Sequence, residues 1–258
     1  MNVTILLQGI SHPEINLLNT IKEYSKFAKI VISYYPKKEL LNFKTMFKNL
    51  EIVFVENDED DFIKELNEKF PEVENSYRKH TYFQIRTTLA GLQKVDTEYV
   101  VKTRLDHYYS NIQDLIQLHI STKKIVCSSI FARGIHEYKY HPSDILFCCK
   151  RYVMNDIFNI CFSNLKSLTD ISEVLIWKPY ILSKFPEIES YSDSEYIKSM
   201  CELFEVFPLN YHKSYKIKLK NFSMRIRKFG LNQYTGEISN YFPLKNKTSI
   251  EYFTNGIM

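Results

Sequence analysis

Glycine and proline are scarce in this chain, 6 and 8 in 258 residues, which excludes collagen-like repeats, low-complexity segments and long flexible linkers. Tryptophan occurs once, but 19 Tyr and 18 Phe in a composition that is 45% hydrophobic supply enough apolar surface for a packed interior. The five cysteines, Cys127, Cys148, Cys149, Cys161 and Cys201, form no CxxC pair, and an odd number cannot all close among themselves. Two of them adjoin in the apolar run ILFCC, where reduced cysteine behaves as a small hydrophobe, so all five are read as structural. There is no internal repeat. The opening MNVTILLQG has no basic n-region, and its apolar part is far too short for a secretory core or a membrane span, so cytoplasmic residence is the expectation. A net charge of +4 is mild and does not by itself call for nucleic acid. The GxGxxG fingerprint is missing, which disfavours a dehydrogenase.

What is present is an alternation of short apolar runs with helical spacings. Residues 3–7 read as a buried strand ending at Gln8-Gly9, where glycine permits a sharp turn or the close approach of a ligand to the backbone. Residues 12–27 carry Ile15, Leu18, Ile21 and Tyr24 at helical spacing, with Pro13 suited to a first turn. A second strand over residues 29–35, a helix over 38–48 and a third strand over 52–55 complete a β-α-β pattern that points to a parallel sheet. The acids Asp58, Glu59, Asp60 and Asp61 suit solvent or the positive end of a following helix. Asn57 or Asp58, at the tip of the third strand, can also touch a base or ribose. Residues 76–95 read as a longer helix, with Ala90 and Gly91 where it must lie close to the sheet. Within it Arg86 is either a bidentate phosphate clamp or a surface arginine.

The stretch EYVVKTRLDHYYS, residues 98–110, is an apolar strand that runs into Arg104, Asp106 and His107. In open α/β sheets ligands sit outside the carboxyl ends of the strands, and a carboxylate beside a cation there can bind a metal that carries a diphosphate. The competing reading is that Asp106 turns the loop and Arg104 pairs with it. Further on, residues 114–119 suit a short helix and 124–130 a strand, and His136 and His141 lack zinc-site spacing. Asp144 precedes another strand and either faces an acceptor hydroxyl or caps a Pro-Ser-Asp turn. A helix over 151–162 and another from Asp170 or Ser172 follow; Glu173 suits the dipole of that first turn and Trp177 the core. A last strand over 204–208 leads to His212. Residues 213–229 then interleave Lys and Arg with apolar side chains, a mixture that can lie on an anionic membrane, grip a diphosphate or solvate a terminal extension. The expected division is a main domain, 1–212, and a basic, aromatic-rich extension, 213–258.

Taken in order, ILLQG, IVISYYP, FQIRTTLAGL, YVVKTRLD, HPSDILF and EVLIW resemble the WavE-like lipopolysaccharide-synthesis family, glycosyltransferases of the GT-A type. The similarity rests on order and spacing rather than on any single motif. It implies a GT-A-like, Rossmann-like α/β fold with a mixed, mainly parallel sheet flanked by helices. The RLD of residues 104–106 then matches a variant of the Asp-x-Asp motif, with Asp106 as the retained acid and Arg104 in place of the first. The resemblance implies that Asp106 helps bind a divalent ion, Mn or Mg, or the donor's diphosphate. It also implies that Gln8, Gly9 and Ser33 border the nucleotide pocket, with His212 as a late-chain metal ligand. Phe83 departs from it, standing where the helix is expected to carry a basic residue.

The function so implied is transfer of a sugar from a nucleotide-sugar donor to a growing surface glycan, lipopolysaccharide or capsular polysaccharide. Asp144 and Glu173 are the candidates for general base if the transfer inverts. The alternative is a non-catalytic nucleotide- or glycan-binding domain, for which the missing first Asp argues. The basic tail adds a peripheral contact with an anionic membrane but lacks any nucleic-acid recognition motif.

Overall fold

Strand β1 (Val3–Ile10) has a parallel neighbour on each side, β2 (Lys29–Tyr35) and β4 (Tyr99–Arg104), which accounts for its nearly unbroken apolar sequence. Both of its faces are covered, so alternation with polar residues is lost. Val3, Ile5 and Leu7 join one apolar cluster and Leu6 the other. The computed structural model describes residues 2–10, 15–35, 50–71, 76–105, 107–129, 134–136, 138–165, 170–208, 213–214 and 249–255. The helix expected over 38–48 lies outside these residues, as do Asp106 and His212.

β3 (Ile52–Glu56) adds to β2 in parallel. β5 (His107–Tyr108) leaves the main sheet and pairs antiparallel with β9 (Lys213–Ser214). β6 (Ile125–Ser128), β7 (Phe147–Lys150) and β8 (Phe204–Phe207) complete a seven-stranded sheet of order β3-β2-β1-β4-β7-β6-β8. β7 is antiparallel to both of its neighbours, whereas β8 runs parallel to β6. This mixed, mainly parallel sheet with helices on its faces is the GT-A-like, Rossmann-like class expected. The chain builds outward from β1 to β3 and then returns to place β4 on the opposite side of β1. The switch point of the topology therefore falls between β1 and β4.

The connections are filled by α1 (Ile15–Ser25), α2 (Glu59–Lys69), α3 (Ser76–Leu92), α4 (Ile112–Thr122), α5 (Arg151–Asn164), α6 (Ser172–Lys184), α7 (Asp193–Leu203) and α8 (Ser249–Asn255). α1 and α4 cover one face through Ile21, Tyr24, Ile112, Leu115 and Ile116. α3, α5, α6 and α7 cover the other, where Trp177 lies edge-on to Phe147 and Phe204 at 4.8 and 5.1 Å. α2 begins where the acidic run suggested, and Asp58 caps it by accepting from Asp60 N at 2.8 Å and Asp61 N at 3.4 Å. α6 contains Pro179, whose missing N–H deprives Leu175 O of its helical donor; the Cys161 thiol donates there instead at 3.2 Å. α8, within the stretch expected as an extension, buries Phe253 in the larger cluster and its Ser249 hydroxyl accepts from Val206 N at 3.0 Å. Among the described residues, no helix is long and apolar enough to cross a membrane.

Candidate functional site

Helix α3 positions the site because residues spaced three and four apart, Gln84, Thr87, Thr88 and Gly91, face the sheet along one stripe. Gly91 sets how close the helix can come. A Cβ there would run into Leu6 Cδ1 and lie 2.9 Å from Ser33 Cβ, so glycine is what the approach requires. Thr87 Oγ1 then sits 2.7 Å from Phe83 O and 3.2 Å from Gln8 Oε1.

Gln8, Ser33 and Arg104 form one row across the carboxyl ends of the strands, since Gln8 is in register with both Ser33 and Arg104. Gly9 follows with φ +133 and open space where a Cβ would stand. That backbone angle is one that L side chains rarely adopt. Leu105 N donates to Gln8 O at 2.9 Å and carries the β1–β4 ladder one step past the last strand residue. Ser33 and Asn57, expected to border the nucleotide, are both buried and bonded to their neighbours. The Ser33 hydroxyl donates to Thr87 O at 2.6 Å and accepts from Asn57 Nδ2 at 3.1 Å, while Asn57 Nδ2 also donates to Tyr34 O at 2.9 Å. Those donors are spent on holding β2, β3 and α3 together.

The other half of the site gathers around a side chain the sequence reading passed over. Lys102 is fully enclosed, and its register partners Leu6 and Phe147 are both core residues. Its Nζ donates to Asp144 O at 2.5 Å and lies 5.8 Å from the centre of the Phe147 ring. Burial pushes the ammonium down to about 8; the charge of Arg104 acts in the same sense, and Asp144 and Glu173 oppose it. Asp144 is itself buried, with its carboxylate accepting from Gln84 Nε2. Glu173, in the first turn of α6, places Oε2 3.8 Å from His141 Nε2. A contact of 2.6 Å between the hydroxyls of Thr81 and Ser172 joins α3 to the start of α6. The structure thus brings Gln8, Gly9, Ser33, Asn57, Arg104, Asp144 and Glu173 toward one end of the sheet.

Arg86 does not join them, contrary to the phosphate-clamp reading. Its Nε lies 2.9 Å from Glu65 Oε2, and its guanidinium carbon is 5.4 and 5.2 Å from the Phe62 and Phe162 rings, so it is committed to packing α2 against α3 and α5. Phe83 is buried too, 5.2 Å from Tyr35 and 5.8 Å from Phe62 between ring centres, which gives a packing reason for an apolar residue at that place. The signal that would have found Lys102 is the two-residue alternation of a strand. Val100 faces inward, so the residue two further on must as well. Among the described residues no group of three or more His, Cys, Asp or Glu side chains is placed to hold a metal.

No family model and no curated protein matches the chain. Among solved structures, a cytidylyltransferase from Leptospira borgpetersenii is similar at 14% identity and a TM-score of 0.40, over 81% of this chain and 76% of that one. Mouse xyloside xylosyltransferase 1 in its apo form is similar at 14% identity and 0.39, over 80% and 85%. HddC from Yersinia pseudotuberculosis is similar at 10% identity and 0.44, over 89% and 100%. Likenesses this remote say nothing of substrate, and the fold class rests on the strand order itself.

Proposed function

We propose that this chain is a glycosyltransferase that moves a sugar from a nucleotide-sugar donor to a growing surface glycan. The observation that supports it most is the position of Gln8, Gly9 and Arg104 at the β1–β4 switch point, where open α/β sheets hold ligands. In the transfer the bond from the anomeric carbon to the diphosphate breaks, and the diphosphate leaves with the bonding pair. Arg104 offers that developing charge a cation with paired donors. Gly9 lets a phosphate come close to the backbone.

If configuration inverts, the acceptor hydroxyl attacks the anomeric carbon and its proton passes to a carboxylate. Asp144, steadied by Gln84, is the first candidate and Glu173, with His141 beside it, the second. A divalent ion, Mn or Mg, would share the charge of the diphosphate, and Asp106 and His212 are proposed to hold it. The acceptor class, lipopolysaccharide or capsular polysaccharide, and a peripheral contact of residues 213–229 with an anionic membrane on the cytoplasmic side are proposed from the sequence alone.

Thermal-shift titration with UDP, GDP, CDP and CMP, with and without manganese, tests the reading. A nucleotide at about a hundred times its Kd adds roughly 2.7 kcal/mol and raises the midpoint by several degrees. Arg104→Ala is expected to fold and to lose most of that rise relative to its own ligand-free midpoint, and the parent to hydrolyse the matching sugar nucleotide. Absence of any shift with all four nucleotides would sink the proposal.

A further inference from the structure

The loop of residues 140–146 is fastened at both ends from the β6 side of the sheet. Tyr140 N donates to the Tyr196 hydroxyl on α7 at 2.6 Å, and Leu146 O accepts from Ser128 N on β6 at 2.9 Å. Ser128 Oγ also donates to Ser143 Oγ at 3.0 Å. The middle of the loop is fastened from the opposite side. Lys102 Nζ reaches the backbone carbonyl of Asp144, and Gln84 Nε2 reaches its carboxylate. Lys102 and Gln84 belong to β4 and α3, the elements that carry Arg104 and Thr87 at the rim.

We propose that Lys102 is a positioning residue whose ammonium ties the middle of this loop to the donor half of the sheet, and so sets the Asp144 carboxylate to receive the proton of an acceptor hydroxyl. The acceptor clause rests on the glycosyltransferase reading; the tie does not. An ammonium carries three donors and no acceptor, and enclosing it is costly unless a strong acceptor and counter-charges stand close. Here the acceptor is Asp144 O. The charged groups that face it are Asp144 from the loop, Glu173 from α6 and Arg104 from its own strand. The two acids favour the charge and the arginine opposes it, and with burial the balance leaves the ammonium intact at neutral pH and deprotonated in mild alkali. A neutral amine is the weaker donor, so the tie slackens as pH rises.

The test uses the full chain, Lys102→Met and Lys102→Arg. Hydrogen exchange at the amides of residues 143–146, normalised for intrinsic rates, should speed up about tenfold in the parent between neutral pH and about pH 9.5. In Lys102→Met the fast exchange should already be present at neutral pH and should not change with pH; Lys102→Arg, which keeps its charge, should restore slow exchange at both. In activity assays Lys102→Met should bind nucleotide within about threefold of the parent, but transfer to acceptor about a hundredfold more slowly. Equal loop protection in the parent and Lys102→Met at both pH values overturns the proposal. So does transfer at the parental rate, or a loss of nucleotide binding as large as the loss of transfer. A parent that neither binds nucleotide nor consumes any sugar nucleotide refutes the glycosyltransferase reading instead, and the exchange data then decide the tie alone. If Lys102→Met does not fold, the pH response of the parent against that of Lys102→Arg decides it.

Discussion

Replacing Lys102 with methionine, similar in length but never charged, makes the cost of enclosing an ammonium measurable. In the folded chain the group is lowered to about 8 from an ordinary value of 10.5. Between those values the folded state has released a proton that the unfolded state still holds, so stability rises with pH in that window and the burden of the charge is fully present below it. Worked through the linkage relation, the parent gains roughly 2.5 kcal/mol of unfolding free energy between pH 7 and pH 10 that Lys102→Met does not gain. Groups that titrate in both proteins cancel in the difference. The sole tryptophan, Trp177, is fully buried and reports unfolding by fluorescence, so urea titrations of the two proteins at a series of pH values supply the comparison. Parallel stability curves from pH 7 to 10 would show that the ammonium carries no such burden and would refute the reasoning.

Two other substitutions probe the frame of the site. Gly91→Ala forces a methyl against Leu6 and Ser33 and should cost about 1–3 kcal/mol in urea denaturation, whereas alanine at the half-exposed neighbour Ala90 is already tolerated; a neutral Gly91→Ala would mean that α3 can back away from the sheet. Cys161→Ala leaves the Leu175 carbonyl without its donor and should cost about 1–2 kcal/mol, with Cys161→Ser recovering part of it through its hydroxyl; equal losses in the two variants would remove the thiol from that role.

The parallel half of the fold was legible because strands covered on both faces read as apolar runs, as β1 and β2 nearly do throughout and β4 does over residues 99–101. The direction of β7 was not. FCCK has the same composition whichever way it runs, and the reversal is decided by the connection before it and by pairing with β4 and β6. At the site, register explains what could be read and what could not. Gln8, Ser33 and Arg104 were picked out as strand-end residues, and strand ends converge at one rim. What Ser33 does there depends on Thr87 O, which comes from a helix 54 residues later and leaves no local trace. The place of Arg86 stayed open for the same reason, since whether a helical arginine faces the sheet or a neighbouring helix is settled by tertiary packing, here by Glu65, Phe62 and Phe162. Lys102 could have been found by counting from Val100, but a lysine in a polar run invites the assumption that it is solvated.

The reversal at β7 also marks where the molecule can be cut and rejoined. β4 and β7 meet along a ladder only four residues long, from Tyr99↔Lys150 to Lys102↔Phe147. A chimera that takes its chain up to that seam from one parent and the remainder from another would keep every parallel pairing among β3, β2, β1 and β4. Compatibility across the graft then includes the packing of α3 against α5 and α6, and the backbone oxygen at position 144 that the incoming segment must offer to Lys102.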